Sequence, residues 1–247
     1  MSETAPFQFP VRVEGGLARI DLGRPEAGNG LSREMMRAMA GLVRELGSRP
    51  ETRAIVIDAR GDQFCRGRDG RGEQQGGLTP YEVRTQMLAV VLDVYDAVAA
   101  APVPVVACVQ GDAIGFGAAM ATACDVTLAS DAARFSFPEI DHGIAPTLAM
   151  SSALRKVPAK MLSYLIYTGE PIDAIQAMNF GIVSQVFPAI EFHERCETFL
   201  TKLASRPRII LETIKKYQTN AGELSPAMAS EYAGVLMAVN QIGRAHV

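Results

Sequence analysis

One segment constrains the fold more than any other: VQGDAIGFGAAMATACDVTLAS, from Val109 to Ser130. It reads as a strand, a glycine turn and the start of a buried helix made almost wholly of small residues. A turn of this kind lets backbone N–H groups come close to a ligand, and the helix start adds a partial positive charge. Downstream, Phe137-Pro138-Glu139 supplies one carboxylate. Backbone donors and one carboxylate are the minimum needed to stabilise an enolate while a proton is moved.

The segment sits in a chain of 247 residues, 48% hydrophobic, long enough for a sizeable core. With no Trp and only 6% aromatics, that core must be filled by aliphatic residues and Ala. A formal charge of −3 argues against a nucleic-acid partner, which calls for a basic surface. The most apolar long window, Ala89 to Val109, holds Asp93, Asp96, Pro102 and Pro104, which excludes a membrane span there. MSETAPFQFP at the start lacks the basic and apolar regions of a secretory signal, so the expected compartment is the cytoplasm. Cys65, Cys108, Cys124 and Cys196 are widely spaced and read as reduced, structural thiols. His142, His193 and His246 show no metal-ligand spacing, and no metal site is expected.

Strands alternate with helices. Val11–Val13 and Leu17–Leu22 flank Glu14-Gly15-Gly16 and predict a hairpin. Ser32 predicts the cap of a helix whose apolar face is Met35, Met36, Met39, Leu42, Val43 and Leu46. Ala54–Ile57, Val105–Val109 and Val126–Leu128 predict strands. A helix facing inward through Met87, Val90, Val91, Val94 and Val98 stops before Pro102. Residues 66–80 form a polar, glycine-rich stretch expected to be mobile and to end at Pro80. The pattern predicts an α/β fold with much parallel pairing. After Phe187 three helical segments follow, Ile190 to Leu203, Arg208 to Tyr217 and Ser225 to Ile242. The expected organisation is a core over residues 1–188 and a helical assembly segment over residues 189–247.

Five fragments in order resemble the crotonase superfamily, the enoyl-CoA hydratase/isomerase family. They are IDLGRPEAGNGLS (Ile20–Ser32), AIVIDARGDQFCRGRD (Ala54–Asp69), PVVACVQGDAIGFGAAMATACDVTLAS (Pro104–Ser130), FSFPEIDHGIAP (Phe135–Pro146) and YTGEPIDAIQAMNFGIVSQVFP (Tyr167–Pro188). The resemblance implies a crotonase-like spiral of ββα units with an α-helical C-terminal segment. It also implies homotrimers or pairs of trimers and a coenzyme A thioester as substrate, so coenzyme A is part of the substrate and no separate cofactor is needed. It places two backbone N–H donors for the thioester oxyanion at Arg68 and Phe116, where the family commonly has a small residue and a glycine. It further assigns Arg24, Ala27, Arg66, Asp69, Gly70, Arg71, Gly115 and Gly117 to the coenzyme A or substrate side. The chain stops at Val247, short of a further helix in the family, and a C-terminal coenzyme A contact is not expected.

The departure with most chemical weight is Ala119, which stands where family hydratases carry a glutamate; their second glutamate matches Glu139. A methyl group transfers no proton, so ordinary hydration loses half its machinery. One carboxylate still suffices to take a proton from C2 of a 3-enoyl thioester and return it at C4. The resemblance therefore points to Δ3,Δ2-enoyl-CoA isomerisation, with GIAP at Gly143–Pro146 also similar to those isomerases. Single-glutamate hydration, decarboxylation and thioester hydrolysis are the alternatives on this scaffold, and an acyl-CoA-binding protein without turnover is the non-enzyme alternative.

Other residues have plainer readings. Asp141 and His142 could form a second acid–base pair, but strand alternation would put Asp141 on Glu139's face and turn His142 away, leaving it structural. Asp112 reads as a residue that caps or hydrogen-bonds the turn. Gly115 and Gly117 read as glycines that let a ligand approach. Arg66, Arg68 and Arg71 would be a solvated cluster by themselves. Beside the other motifs they suit the phosphates of coenzyme A, and Arg68 alternatively suits a carboxylate on the acyl group.

Overall fold

The structure is a computed structural model, and it describes residues 7–71 and 77–244. β1 (Val11–Glu14) and β2 (Leu17–Asp21) form the expected hairpin, with Val11 opposite Ile20. After a 3-10 turn at Pro25–Ala27, α1 (Arg33–Ser48) begins where the Ser32 side chain accepts from the Met35 N–H. That bond satisfies one of the donors a helix start leaves over. Met35, Met36, Met39, Val43 and Leu46 are buried as the periodicity predicts.

The chain then repeats one manoeuvre: a strand in a large sheet, a strand in a small one, then helix. β3 (Ala54–Asp58) joins the large sheet and β4 (Gln63–Cys65) the small one; α2 (Pro80–Glu82), a π-helical turn at Val83–Leu88 and α3 (Ala89–Ala100) come next. β5 (Val105–Val109) and β6 (Asp112–Ile114) lead into α4 (Phe116–Ala123). β7 (Val126–Ser130) and β8 (Arg134–Ser136) lead through a 3-10 turn at Pro138–His142 into α5 (Thr147–Ala153) and α6 (Ala159–Thr168). β9 (Ile172–Asp173), α7 (Ala174–Asn179) and β10 (Gln185–Phe187) close the core. Among the described residues the large sheet runs β1-β2-β3-β5-β7-β10, parallel from β2 onward, and the small one β4-β6-β8-β9.

Both faces of the large sheet are covered. Ile55, Ile57, Val105 and Ala107 point into the main core with residues of the small sheet such as Phe64 and Phe135. Their neighbours Ala54, Val56, Val106 and Cys108 point the other way, onto Phe192, Cys196 and Leu200 of α8 (Phe192–Ala204). Side chains alternate along a strand, so continuous apolar runs belong to a sheet buried on both sides. α9 (Arg208–Ala221) and α10 (Pro226–Arg244) complete the chain. The helical segment is tied to the core: Arg208 donates to the carbonyls of Gly47, Arg49 and Thr52 at and just after the end of α1, and Arg53 donates to Ala204 O.

Two local readings change. Asp112, read as a residue that caps or hydrogen-bonds the turn, instead begins strand β6, paired with Gln63. The loop after β4 is pinned at its start, where Leu31 and Arg68 form a parallel bridge. Residues 72–76 of that loop, and His246, lie outside the described residues. Also among the described residues, no helix is long and apolar enough to cross a membrane.

Candidate active site

A cavity of about 510 Å³ opens at the N-terminus of α4, walled by the Arg66–Arg68 strand extension, Gly115 and Phe116, Tyr95 of α3 and the Pro138–His142 turn. β4 and β6 are parallel neighbours, so the segments that continue them reach the same wall of the cavity.

On the first segment, the Leu31 N–H donates to Gly67 O (3.0 Å) and the Asp69 N–H to Leu31 O (2.8 Å). The Gly67 carbonyl and the Arg68 N–H belong to one trans peptide and point in opposite directions, so with the carbonyl on Leu31 the Arg68 N–H is turned to the opposite side. On the second segment, Gly115 reverses the chain in one step at φ +54°, its own N–H spent on Ser136 O at 2.8 Å. Phe116 is the first helical residue, and the first intrahelical bond is made by Ala119 N–H to Gly115 O. A helix leaves its first N–H groups without internal acceptors, so that of Phe116 is a donor at the cavity.

Glu139 faces these donors from the 3-10 turn. Its Oε1 lies 3.2 Å from where a Cβ on Gly115 would stand, so a side chain at that position would press on the carboxylate. Its Oε2 is buried and has no hydrogen-bond partner among the described residues. Burial pushes its pKa above the ordinary carboxylate range, opposed by its own backbone N–H and by His142. A carboxylate desolvated in this way is a stronger base than one in water.

Because Pro138–His142 is a 3-10 helix and not a strand, side chains three apart eclipse one another. His142 therefore shares the cavity wall with Glu139, and Asp141 turns away against Gly169, where a Cβ would meet its Oδ2 at 3.1 Å. This reverses the expectation drawn from strand alternation. Gly117 also differs from its reading. A Cβ there would lie 2.2 Å from Cys65 O, so it is the glycine that lets α4 pack against β4, and it does not line the cavity.

Of the remaining candidates, Arg66, Arg68 and Gly70 line the cavity. Arg24, Ala27, Asp69 and Arg71 do not. The Arg24 guanidinium donates to Gly30 O at 3.1 Å and pairs with Asp69 at 3.4 Å. Asp69 in turn accepts from Arg71, which pulls its carboxyl down to about 2. Arg24, Asp69 and Arg71 thus form a strut beside the Gly67–Arg68 segment. Ala119 is fully buried among apolar residues and brings no polar group. The four cysteines are free and buried; desolvation pushes Cys65 and Cys124 up to about 12, which keeps them as unreactive thiols.

Tyr95 is a cavity residue that sequence reasoning did not single out. It is 7% exposed and its ring stacks on Phe116 with centroids 5.9 Å apart and planes 20° from parallel. The signal was a lone hydroxyl on a helix face otherwise built of Val90, Val91, Val94 and Val98.

Comparisons with known proteins agree with this geometry. The family model for enoyl-CoA hydratase/isomerase matches residues 12–240. A probable enoyl-CoA hydratase, echA8, of Mycobacterium bovis is 32% identical over 202 residues, 80% of this chain and 77% of that protein. The mitochondrial enoyl-CoA hydratase domain-containing protein 3 of Rattus norvegicus is 28% identical over 209 residues, 85% of this chain and 69% of that protein. Among solved structures, an enoyl-CoA hydratase of Mycobacterium smegmatis superposes with a TM-score of 0.88 at 29% identity, covering 94% of this chain and 90% of that one. The α/β fold is thus the crotonase fold with its helical C-terminal segment, and the chain belongs to the enoyl-CoA hydratase/isomerase family of the crotonase superfamily.

Proposed function

We propose that the protein acts on acyl-CoA thioesters as a Δ3,Δ2-enoyl-CoA isomerase with Glu139 as its one general base. The observation that carries this reading is the asymmetry around α4. A desolvated Glu139 carboxylate stands beside the Gly115 turn, and Ala119, one turn into the helix, offers only a methyl group. Glu139 takes the proton from C2 of a 3-enoyl thioester, and the C–H electron pair moves onto the thioester oxygen. The Arg68 and Phe116 N–H groups hold the resulting dienolate. The enolate collapses as the protonated Glu139 returns the proton at C4, leaving the double bond between C2 and C3. Each backbone donor of this kind stabilises the transition state by about 3–4 kcal/mol.

Arg66 and Gly70, on the cavity wall, suit the phosphate side of coenzyme A in this reading; Arg24, Asp69 and Arg71 support the loop that carries them. Exposed apolar residues of α10, Met228, Val235, Met237 and Val239, support assembly as a homotrimer or a pair of trimers. The buried free cysteines suit a reducing compartment, which we take to be the cytoplasm, although the rat relative is named mitochondrial.

The names of the relatives support a second reading, hydration of a 2-enoyl thioester by Glu139 alone. One experiment separates the two: purified protein with a trans-3-enoyl-CoA, following the absorbance of the conjugated thioester, with Glu139→Gln alongside. The isomerase reading expects conjugation by the wild type and a fall of roughly 10²- to 10⁴-fold in the variant. Absorbance lost from a trans-2-enoyl-CoA, with none gained from the trans-3 isomer, would replace isomerisation by hydration.

A further inference from the structure

We propose that the Tyr95 hydroxyl is a hydrogen-bond donor to the acyl group, so that the cavity prefers thioesters bearing a hydroxyl or carbonyl oxygen close to the reacting carbons. The inference rests on the acyl-thioester reading above and specifies its substrate class. Tyr95 is nearly buried, lines the cavity, and has no hydrogen-bond partner among the described residues. Much of the wall around it is apolar, contributed by Leu88, Val91, Phe116, Leu148 and Ala149. The hydroxyl opens onto this cavity, and in apolar surroundings an oxygen of the ligand that replaces water there gains a hydrogen bond.

The Glu139 carboxylate is near enough for its charge to act on the phenol, but the two are not hydrogen-bonded. Both line the same cavity. Burial and that negative charge hold the phenol protonated, so it serves as a donor and not as a base. Its position is set by the ring of Phe116, whose own N–H is the candidate oxyanion donor. The hydroxyl is therefore held at a fixed reach from the thioester oxygen, over the first few acyl carbons. In this cavity, where Ala119 supplies no acid, Tyr95 is a second polar group that an oxygen on the chain could meet.

The test is equilibrium binding to the full-length protein by calorimetry, using butyryl-CoA and both enantiomers of 3-hydroxybutyryl-CoA. The wild type is expected to bind one hydroxylated enantiomer roughly ten-fold more tightly than butyryl-CoA. Tyr95→Phe keeps the stacked ring; it is expected to erase that preference while leaving butyryl-CoA affinity within about two-fold. Three outcomes overturn the proposal. The first is that the wild type binds all ligands equally; the second is that Tyr95→Phe weakens them all alike, which makes the residue a packing wall; the third is that the preference survives in Tyr95→Phe, which assigns it to Glu139 or His142. Absence of any acyl-CoA binding by the wild type would instead remove the acyl-thioester reading itself, and this inference with it.

Discussion

The two ends of α4 are built from the same eight-residue helix and are treated in opposite ways. At its C-terminal end, the Lys156 ammonium donates to the carbonyls of Thr122, Ala123 and Cys124 at 2.8, 2.6 and 2.8 Å. Beside it, Lys215 of α9 donates to Val98 O in the last turn of α3 and to Val103 O, and pairs at 2.6 Å with Asp125, the residue that follows the α4 cap. Leftover acceptors there are saturated by cations, as the helix dipole favours. At the N-terminal end the Phe116 N–H opens on a cavity, and the nearby Glu139 Oε2 has no hydrogen-bond partner among the described residues. A closed end contributes stability. An open end stores unmet hydrogen-bonding capacity that a substrate can meet, which is what an oxyanion site requires.

The contrast predicts a double dissociation, and its largest effect lies at the closed end. Lys215 is 4% exposed, and replacing it by Met removes the countercharge of Asp125 and the donor of two carbonyls. Removing one partner of a buried pair costs about 3–5 kcal/mol. In a chain of this size that is a fall in Tm of roughly 10 °C. Turnover per folded molecule is expected to stay within about two-fold, whereas Glu139→Gln should lose turnover with a Tm change of roughly 2 °C or less. Calorimetric melts and initial rates on both variants would break the comparison if Lys215→Met cost activity while leaving stability unchanged.

Much of the closed, packed part of the molecule was legible in the sequence because period decides it. The strands at Ala54, Val105 and Val126 and the Met-lined face of α1 follow from apolar spacing and one capping serine. The open end was legible only in part. Asp112–Ile114 is three residues of strand between Gly111 and Gly115, too short for alternation to show. PEIDH carries no periodic signal separating 3-10 from strand, and the choice decides whether Asp141 or His142 accompanies Glu139. Tyr95 looks like core because the cavity lies within the core. The Lys215–Asp125 pair joins residues 90 positions apart, a distance no local pattern bridges.

A smaller effect separates the two lysines of the closed end. Lys156 is exposed as a residue although burial of its ammonium lowers its pKa, and the carboxylate of Asp125 keeps its ion pair with Lys215 when Lys156 is replaced. Lys156→Met is expected to cost about 1 kcal/mol, the scale of a cation at a helix C-terminus. In denaturant melts the midpoint should fall without a change in slope. A loss as large as that of Lys215→Met would mean that burial does not distinguish the two sites.

The smallest expected effect lies at the open end and sharpens what sets the base. Glu139 works only when ionised, so the rate falls as pH drops through its raised pKa, by ten-fold per unit once well below it. Burial lifts that pKa and His142 pulls it down, since a cationic imidazole favours the carboxylate. His142→Gln removes the downward pull. The acid limb of kcat/KM should therefore move to higher pH, and only slightly because the neighbour is exposed and screened. At high pH, where Glu139 is ionised in both, the two proteins should be equally fast. A plateau that falls instead, with the limb unmoved, would make His142 a group that handles substrate directly and not one that tunes Glu139.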